Sequence, residues 1–452
     1  MIYINRSLNL KKIKAIGLDM DYTIVRYNSK AYESFTFQQI VKKLIEIKKY
    51  PAEIYDLHFD YDLVIQGLVI DTHRGNLLKL SRFGKVKQAY HGMRPIPFKD
   101  QQQIYKNIID LNDEHIQSLD TAFSVSNGVL YALLIEKKEQ GMALPNFHQL
   151  AIDVREMVDL AHRDGTLKLE VKENIEKYIV QDPEIPATLE RLKKYGKKIF
   201  ILTNSDFNYT KLLMDYAFNP FLKEHKTWSE LFFWVITASQ KPHFFSDRAN
   251  FLKVDPDTAL MSNHQGHLAS GIYQGGNALK LQTDLGLQGD EILYLGDHIY
   301  GDVVSLKKTF NWRTGLVLEP LIEELEGINK SVELQNTIAK TMMEKEKLED
   351  ELNKLYEDEF EKGKKVEKKK LDKLFLKTEG LNNTISSTLK LFQSHFNPHW
   401  GEIMRAGQEE SRFAGQVEKY ACIYMAKISD LKEYSPRAYF RPAKRILPHE
   451  RM

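Results

Sequence analysis

The sequence predicts an α/β fold built on a doubly wound parallel sheet, and two observations carry this prediction. Short, mainly apolar runs have the length of strands that are buried on both faces. These runs lie at residues 13–18, 198–202, 231–237, 292–295 and 315–318. Between them apolar residues recur at helical spacing, as in residues 187–195, where Gly196 ends the pattern. Alternating strands and helices are typical of a parallel sheet covered by helices.

The spacing of the runs predicts the domain organisation. About 180 residues separate the first run from the second, far more than a crossover needs, and this interval has strand and helix signals of its own. We therefore predict a sheet core, an inserted domain over the carboxyl edge of the sheet, a hairpin of two helices with leucines at 3-4 spacing, and a C-terminal helical segment that packs on the core. The expected boundaries are 1–30 with 166–322, 31–165, 323–395 and 396–452, respectively.

Composition narrows the function classes. The chain has 452 residues, 42% hydrophobic and 28% charged, which is typical of a soluble protein with a large core. Its formal net charge of +2 argues against a dedicated binder of nucleic acid or of anionic membranes. Cys422, in a helical-looking segment, is the sole cysteine, which excludes an internal disulfide and favours a reducing compartment. The N-terminus lacks the order of a signal peptide and no apolar run is long enough to span a membrane, so the expected location is cytoplasmic.

Two carboxylates, Asp19 and Asp21, stand at the end of the first apolar run. In open α/β sheets the carboxyl ends of the strands are where ligand crevices form. Like charges this close are unfavourable unless a cation or a shared proton offsets them. By itself the stretch indicates a Mg²⁺ site, an acid/base pair or a nucleophile with its helper, and a strand followed by an acidic turn is the plain structural alternative.

The other strand ends carry further polar groups, namely Thr203, Asn204, Lys241, Asp297 and Asp302. Neighbouring parallel strands would gather these groups in one pocket, where each type has a task in phosphoryl transfer. One carboxylate can attack phosphorus, and a second can move the proton. A hydroxyl and an amide can hold phosphate oxygens, a lysine can offset negative charge, and further carboxylates can hold Mg²⁺.

In this order, the set resembles the haloacid-dehalogenase-like phosphohydrolases. It comprises Asp-x-Asp-x-Thr at residues 19–23, then Thr203, Lys241 and Gly-Asp-x₄-Asp at residues 296–302. Over nearly the whole chain the sequence also resembles the cytosolic purine 5′-nucleotidases, and residues 325–395 are the least similar part. The additional matches lie at residues 5–8, 12–14, 67–72, 75–79, 91–92, 153–155, 203–206, 241–242 and 447–450.

This resemblance implies Mg²⁺-dependent hydrolysis of purine nucleoside 5′-monophosphates, IMP and GMP above all, on a core of the haloacid-dehalogenase type with an inserted cap domain. By motif, Asp19 is then the nucleophile that becomes aspartyl phosphate. Asp21 is the general acid/base, and its backbone carbonyl also reaches Mg²⁺. Lys241 stabilises the phosphoenzyme.

The resemblance also implies binding roles. Thr203 and Asn204 are expected to bind phosphate. The expected metal set comprises Asp19, Asp21, Asp297 and Asp302, with Asp302 in a supporting role.

Four residues match positions that read the purine, namely Phe123, Arg155, Asp159 and His162. The last three are spaced i, i+4, i+7, so their side chains can share one face of a helix. An ordinary i,i+4 ion pair is the alternative for Arg155 and Asp159.

Three positions depart from the family pattern. Ser124 stands where an Asn is typical, and Arg163 stands where an aromatic residue follows the histidine. Asp120 lies near the position through which the animal enzymes bind an activating nucleotide, and an acid there should repel phosphate. Activation by ATP-like effectors is therefore not expected.

Other functions stay open at this point. The same aspartyl phosphate could be transferred to a nucleoside instead of water, or the substrate could be another small phosphomonoester. From a different class, the chain could be a scaffold that acts through its helical hairpin. The expected partners are the purine nucleoside monophosphate and further copies of this chain, with neither nucleic acid nor membrane.

Overall fold

A computed structural model of the chain describes residues 1–443 and divides into two compact units. The first unit comprises Met1–Glu319 together with the described residues from Ile403 onward, and the second comprises Pro320–Glu402. Residues 444–452, which include the family-like stretch at 447–450, lie outside the described residues. Within residues 1–443, each helix is too short or too polar to cross a bilayer.

The strands are short, as is usual in globular proteins. In chain order they are β1 (Ile2–Ile4), β2 (Leu8–Asn9), β3 (Ala15–Leu18), β4 (Arg26–Tyr27), β5 (Leu68–Asp71), β6 (Asn76–Leu80), β7 (Val86–His91), β8 (Arg94–Pro95), β9 (Ile116–Leu119), β10 (Ile179–Val180), β11 (Lys198–Leu202), β12 (Trp234–Thr237), β13 (Phe251–Val254), β14 (Met261–Asn263), β15 (Gly271–Gly275), β16 (Ile292–Gly296), β17 (Arg313–Val317), β18 (Arg405–Ala406), β19 (Glu409–Glu410), β20 (Ile423–Met425) and β21 (Tyr439–Phe440).

The α-helices lie between and after these strands. They are α1 (Ser29–Glu46), α2 (Phe98–Ile104), α3 (Val125–Glu139), α4 (Phe147–Arg163), α5 (Thr166–Glu173), α6 (Ile175–Tyr178), α7 (Glu184–Lys194), α8 (Phe207–Ala217), α9 (Trp228–Leu231), α10 (Ala278–Leu285), α11 (Ser305–Thr309), α12 (Leu321–Lys330), α13 (Val332–Phe360), α14 (Lys368–Gln393) and α15 (Arg412–Tyr420). A short π-helix, Ile299–Val304, joins β16 to α11.

The main sheet of the first unit has ten strands in the order β1-β20-β17-β16-β3-β11-β12-β15-β13-β14. The strands from β20 to β15 in this order run parallel, and β1, β13 and β14 are antiparallel to their neighbours. Helices lie between the successive parallel strands except β12 and β15, which β13 and β14 connect, and the predicted doubly wound α/β class is confirmed. Each predicted apolar run contains a strand, although Leu231 ends α9 and β12 begins only at Trp234.

The centre of this sheet is buried on both faces, as its continuous apolar runs predict. Every residue of β3, β12 and β16 is buried. Gly17 lies directly opposite Phe200 of β11 and Tyr294 of β16. A Cβ atom at Gly17 would lie 2.4 Å from the Phe200 ring and 2.7 Å from the Tyr294 ring. A glycine therefore lets two large aromatic side chains fill the layer next to the site.

Residues 31–165 contain a second sheet, which is antiparallel and has the strand order β8-β7-β6-β5-β9. Helices α1, α3 and α4 pack against one another beside it. The chain passes between the main-sheet part and this part twice. The first passage contains β4 and the second contains β10, and these two strands pair as an antiparallel ribbon. The cap boundaries stay a prediction, because both parts belong to one compact unit.

The second unit consists mainly of α13 and α14, which pack against each other, with α12 before them. Leu352 of α13 and Leu374 of α14 are the most buried leucines of these two helices, at 8% and 6% exposure. Both belong to the predicted 3-4 leucine pattern, and the helical hairpin extension is confirmed.

The segment predicted as helical from residue 396 has a different structure in its described part. It contains one α-helix, α15, and the strands β18 to β21. Cys422, predicted within a helix, lies between α15 and β20, and β20 enters the main sheet next to β17. The periodicity of a short apolar run does not distinguish a strand from a helix. Here the run forms a strand because it pairs with the edge of β17.

Candidate active site

The carboxyl ends of four adjacent strands, β16, β3, β11 and β12, meet at one edge of the main sheet. Asp297 follows β16, Asp19 follows β3, Thr203 follows β11, and Lys241 lies in the loop after β12. The predicted motifs therefore lie together because parallel neighbours end on the same side.

Lys241 links two of the acids. Its Nζ lies 2.9 Å from Asp19 Oδ2 and 2.7 Å from Asp302 Oδ1, and it donates to Tyr294 Oη at 3.0 Å. The side chain is only 5% exposed. Burial alone would lower the pKa of Lys241, but Asp19 and Asp302 raise it well above its usual range. Lys241 is thus a fixed positive charge between two carboxylates.

Asp19 is almost buried, at 9% exposure. One of its oxygens accepts the backbone N–H of Met20 at 2.7 Å. Burial raises the pKa of Asp19 to about 7, Asp302 and Asp21 add to the rise, and Lys241 opposes it. Any further cation beside this carboxyl would favour its ionised, nucleophilic form.

Asp19, Asp297 and Asp302 form a group that could hold a metal ion, with one carboxylate oxygen of each within 4.8 Å of the others. Burial, followed by the charges of Asp19 and Asp302, raises the pKa of Asp297 well above its usual range. One lysine does not offset three buried carboxylates, and oxygen ligands of this kind suit a hard divalent cation. The donor set therefore fits such an ion.

Asp302 is shared between several partners. Its Oδ1 accepts from Lys241, and its Oδ2 accepts the His298 N–H at 3.1 Å. A Cβ atom at Gly296 would lie 2.3 Å from Asp302 Oδ2, so the glycine of the Gly-Asp-x₄-Asp motif makes room for this carboxylate. Asp302 thus contacts both the lysine and the loop after β16, and its supporting role at a metal site stays a prediction.

The Asp21 side chain has a separate set of partners, and it does not belong to the metal-type group found among the described residues. Its Oδ1 accepts from Tyr27 Oη at 2.7 Å, and its Oδ2 accepts from Ser205 Oγ at 2.8 Å and from Thr203 Oγ1 at 3.4 Å. Burial raises the pKa of Asp21 although these hydrogen bonds lower it. Two acids only two residues apart are therefore in different environments.

The two predicted phosphate ligands differ in exposure. Thr203 is fully buried, and its Oγ1 also accepts the Ser205 N–H at 3.0 Å. Asn204 is exposed, and its Oδ1 accepts from the Lys241 N–H at 2.6 Å and from Ser239 Oγ at 3.0 Å. The Asn204 amide thus fastens the loop after β11 to the loop that carries Lys241.

On the cap side, the Phe123 and His162 rings meet edge to face with centroids 5.8 Å apart. Burial lowers the pKa of His162, which favours the neutral ring. Arg155 and Asp159 lie exposed on the same helix, α4, and these two described residues do not form the i,i+4 ion pair that the sequence allows. The guanidinium of Arg155 and the carboxylate of Asp159 are therefore not committed to each other.

Sequence reasoning missed several side chains that complete this region. Tyr27 and Ser205 hold Asp21, and Tyr294 contacts Lys241. Lys168 pairs with Asp206 and lies over the Tyr209 ring, 5.5 Å from its centroid. Ser205 is part of the quoted motif at 203–206, whereas Tyr27, Tyr294 and Lys168 carry no local signal of their role.

Asp120, the departure noted above, is almost buried and pairs with Arg412. Its backbone carbonyl accepts from Gln66 Nε2 at 2.7 Å. The acid is therefore balanced by a cation from this chain, which offsets the repulsion of phosphate expected from the sequence, and the absence of activation by ATP-like effectors stays a prediction.

A doubly wound sheet with this lysine-linked acid cluster at its strand ends is the arrangement that the resemblance to the haloacid-dehalogenase-like phosphohydrolases implies. The model of a family described as the 5′ nucleotidase family matches residues 2–452, and the chain belongs to this family. Membership confirms the resemblance seen in the sequence and the enzyme class, a phosphoric monoester hydrolase.

Curated relatives extend over nearly the whole chain. A 5′-nucleotidase domain-containing protein of Dictyostelium discoideum is 28% identical over 464 residues, covering 99% of this chain and 74% of the relative. The 5′-nucleotidase domain-containing protein 2 of Rattus norvegicus is 27% identical over 469 residues, covering 99% of this chain and 80% of the relative.

Solved structures are more distant. A predicted phosphoglycolate phosphatase from Haemophilus somnus is 15% identical with a TM-score of 0.30, covering 68% of this chain and 85% of that one. CbbY from Rhodobacter sphaeroides, in complex with phosphate, is 12% identical with a TM-score of 0.26, covering 68% and 86%.

Proposed function

We propose that this chain hydrolyses purine nucleoside 5′-monophosphates, IMP and GMP above all, to nucleoside and phosphate through an aspartyl phosphate on Asp19. The observation that carries the proposal is the link from Lys241 to both Asp19 and Asp302 beside Asp297. It puts a fixed cation next to the carboxylate that would attack and next to an oxygen-ligand set.

In the first half-reaction an Asp19 oxygen attacks phosphorus, the bond from phosphorus to the nucleoside 5′-oxygen breaks, and Asp21 gives its proton to that oxygen. In the second half-reaction Asp21 takes a proton from water, which attacks the acyl phosphate and restores Asp19. Lys241 offsets the charge of Asp19 and phosphate together. Mg²⁺, held by Asp19, Asp297 and the Asp21 backbone carbonyl with Asp302 behind them, would screen the acids from the incoming dianion.

Four cap residues support a purine as the base. Phe123 offers a ring for stacking, and His162 packs against it. Arg155 and Asp159 offer a donor and an acceptor that are not paired with each other. Thr203 and Asn204 are the proposed phosphate ligands. The Asn204 side-chain oxygen accepts from the Lys241 N–H, which holds the loop of Asn204 next to the loop of Lys241.

A nucleotide panel with Mg²⁺ tests the substrate. We expect IMP and GMP to be turned over faster than UMP and faster than sugar phosphates.

Arg155→Ala should raise KM for IMP about 10- to 100-fold with little change in kcat, because a hydrogen bond to a charged group contributes about 1.5–3 kcal/mol. Lys172→Ala, which removes an exposed cation on the adjacent α5, is the matched control and should leave KM unchanged. Faster turnover of sugar phosphates than of IMP and GMP would contradict the purine proposal, and so would an unchanged KM for IMP in Arg155→Ala.

Phosphotransfer is the second candidate, because the same aspartyl phosphate serves both reactions. Labelled inosine supplied with unlabelled IMP separates them: transfer yields labelled IMP, and hydrolysis leaves the inosine label where it was. We expect hydrolysis to dominate, and labelled IMP formed faster than phosphate would reverse this expectation.

We also propose a cytoplasmic homo-oligomer. The hairpin of the second unit leaves large apolar side chains exposed, including Met343, Phe360 and Leu376 at 57%, 79% and 69%. Contact between copies would cover such groups. Light scattering on the full chain checks the subunit count, and a monomer at micromolar concentration would contradict the proposal.

A further inference from the structure

We infer that Tyr27 is a positioning residue, which holds the Asp21 carboxylate in the orientation needed to protonate the leaving oxygen. The inference rests on the proposed function, in which Asp21 moves the proton. Tyr27 lies outside every motif quoted from the sequence, six residues after Asp21.

The hydrogen bond from Tyr27 to Asp21 has a defined direction. Tyr27 Oη lies 2.7 Å from Asp21 Oδ1, and the tyrosine is 2% exposed. A tyrosine hydroxyl keeps its proton at neutral pH, because its ordinary pKa is about 10. After Asp21 has given up its proton, its carboxylate only accepts hydrogen bonds, so Tyr27 donates to it. Tyr209 Oη, 3.2 Å from Tyr27 Oη, can then donate to the Tyr27 oxygen.

Asp21 is held at both oxygens. Ser205 Oγ donates to Oδ2 at 2.8 Å while Tyr27 donates to Oδ1. Rotation of the carboxylate plane would break one or both bonds, and a buried group left without its partner costs about 1–3 kcal/mol. With Thr203 Oγ1 also donating to Oδ2 at 3.4 Å, these donors fix the plane of Asp21, and a lone pair on Oδ1 is left for the transferred proton.

The Tyr27 ring is itself fixed. Its backbone pairs with Ile179 in the β4–β10 ribbon. The ring stacks on Tyr22 with centroids 4.7 Å apart and meets Tyr32 edge to face at 5.1 Å. A hydroxyl on a ring that is held on several sides is a rigid donor. Rigid placement matters because a shift of about 1 Å in a catalytic group can cost roughly 100-fold in rate.

This arrangement has a consequence that depends on the leaving group. A nucleoside 5′-alkoxide is a poor leaving group, so the 5′-oxygen needs a proton as its bond to phosphorus breaks. The 4-nitrophenolate ion is stable without that proton. If Tyr27 serves to orient Asp21, its loss should slow the transfer from nucleotides to Asp19 and leave the transfer from 4-nitrophenyl phosphate nearly intact.

Tyr27→Phe tests this inference in the full chain with Mg²⁺. Rapid mixing measures the first-turnover release of inosine from IMP and of nitrophenolate from 4-nitrophenyl phosphate. We expect a loss of about 10- to 100-fold for IMP, which is part of the usual 10²–10⁴ contribution of a general acid, with KM within about twofold of the wild-type value. The rate of first-turnover nitrophenolate release should fall by less than about threefold. Tyr105→Phe is the matched control, since it removes another buried tyrosine donor, 2.8 Å from Asp71 Oδ2 in the cap.

The outcomes separate the two proposals. Equal losses for both substrates would assign Tyr27 a merely structural role, and unchanged IMP kinetics would also overturn the inference. A wild-type enzyme that fails to turn over any nucleotide would instead refute the proposed function. Should Tyr27→Phe not fold, Tyr209→Phe removes the donor behind Tyr27. Tyr209→Phe should slow inosine release from IMP by about threefold and leave nitrophenolate release nearly unchanged. Wild-type kinetics with both substrates would overturn the inference.

Discussion

Asp19→Asn is expected to abolish phosphate release from IMP, with a loss on the order of 10⁴ to 10⁶ in kcat, the scale seen when a covalent nucleophile is removed. An amide oxygen at this position is too weak a nucleophile to form the acyl phosphate. The fold should survive, because Asn has nearly the same volume and Asp19 is held in a polar site by Lys241 and the Met20 N–H. Acid quenching after rapid mixing with radiolabelled IMP should trap labelled wild-type protein and leave the variant unlabelled.

Asp297→Asn is the control for this experiment. It keeps the nucleophile and removes one member of the metal-type group. Its activity should fall and then recover in part as Mg²⁺ is raised, whereas added Mg²⁺ should not restore Asp19→Asn. Measurable turnover in Asp19→Asn, or a phosphoenzyme in that variant, would refute Asp19 as the nucleophile.

Lys241→Met is expected to have the second largest effect, a loss of about 10³-fold in kcat, comparable to removing one donor that stabilises developing charge. The variant leaves Asp19 and Asp302 buried without the cation that links them. Removing one partner of a buried ion pair destabilises a protein by about 3–5 kcal/mol. Urea unfolding in the presence of a chelator measures this loss, and steady-state assays with Mg²⁺ measure the rate.

Lys330→Met is the matched comparison for stability. It removes an exposed i,i+4 pair with Glu326, whose side chains are 65% and 62% exposed. Exposed pairs contribute about 0–1 kcal/mol, so this variant should unfold almost as the wild type does. A Lys241→Met enzyme within tenfold of wild-type turnover would show that the lysine is not needed to offset the charge of the phosphoenzyme.

Much of the site could be predicted because its signals are local. Asp19, Thr203, Lys241 and Asp297 each follow an apolar run, and such runs become parallel strands whenever helices lie between them. Parallel strands end on one side of a sheet, so the order of motifs along the chain is enough to predict that they meet. The same reasoning was wrong about the end of the chain, where β20 replaces a predicted helix because the edge beside β17 accepts another strand.

The pairing of side chains could not be predicted in this way. Spacing on α4 allowed an ion pair between Arg155 and Asp159, and the folded chain does not form it. Asp120 was expected to repel phosphate, yet Arg412, almost three hundred residues later, balances its charge. Such pairs depend on how segments far apart in the chain pack together, so local sequence periodicity does not predict them.

The sequence by itself determined the class of the fold, the family, and which acids meet at the sheet edge, since apolar periodicity and motif order are properties of short segments. Only the tertiary structure decided how Asp19 and Asp21 differ. Asp19 faces Lys241, and Asp21 is held by Tyr27 and Ser205. The physical reason is that burial and hydrogen-bond partners set the behaviour of a carboxyl group, and both arise from contacts between residues far apart in the chain.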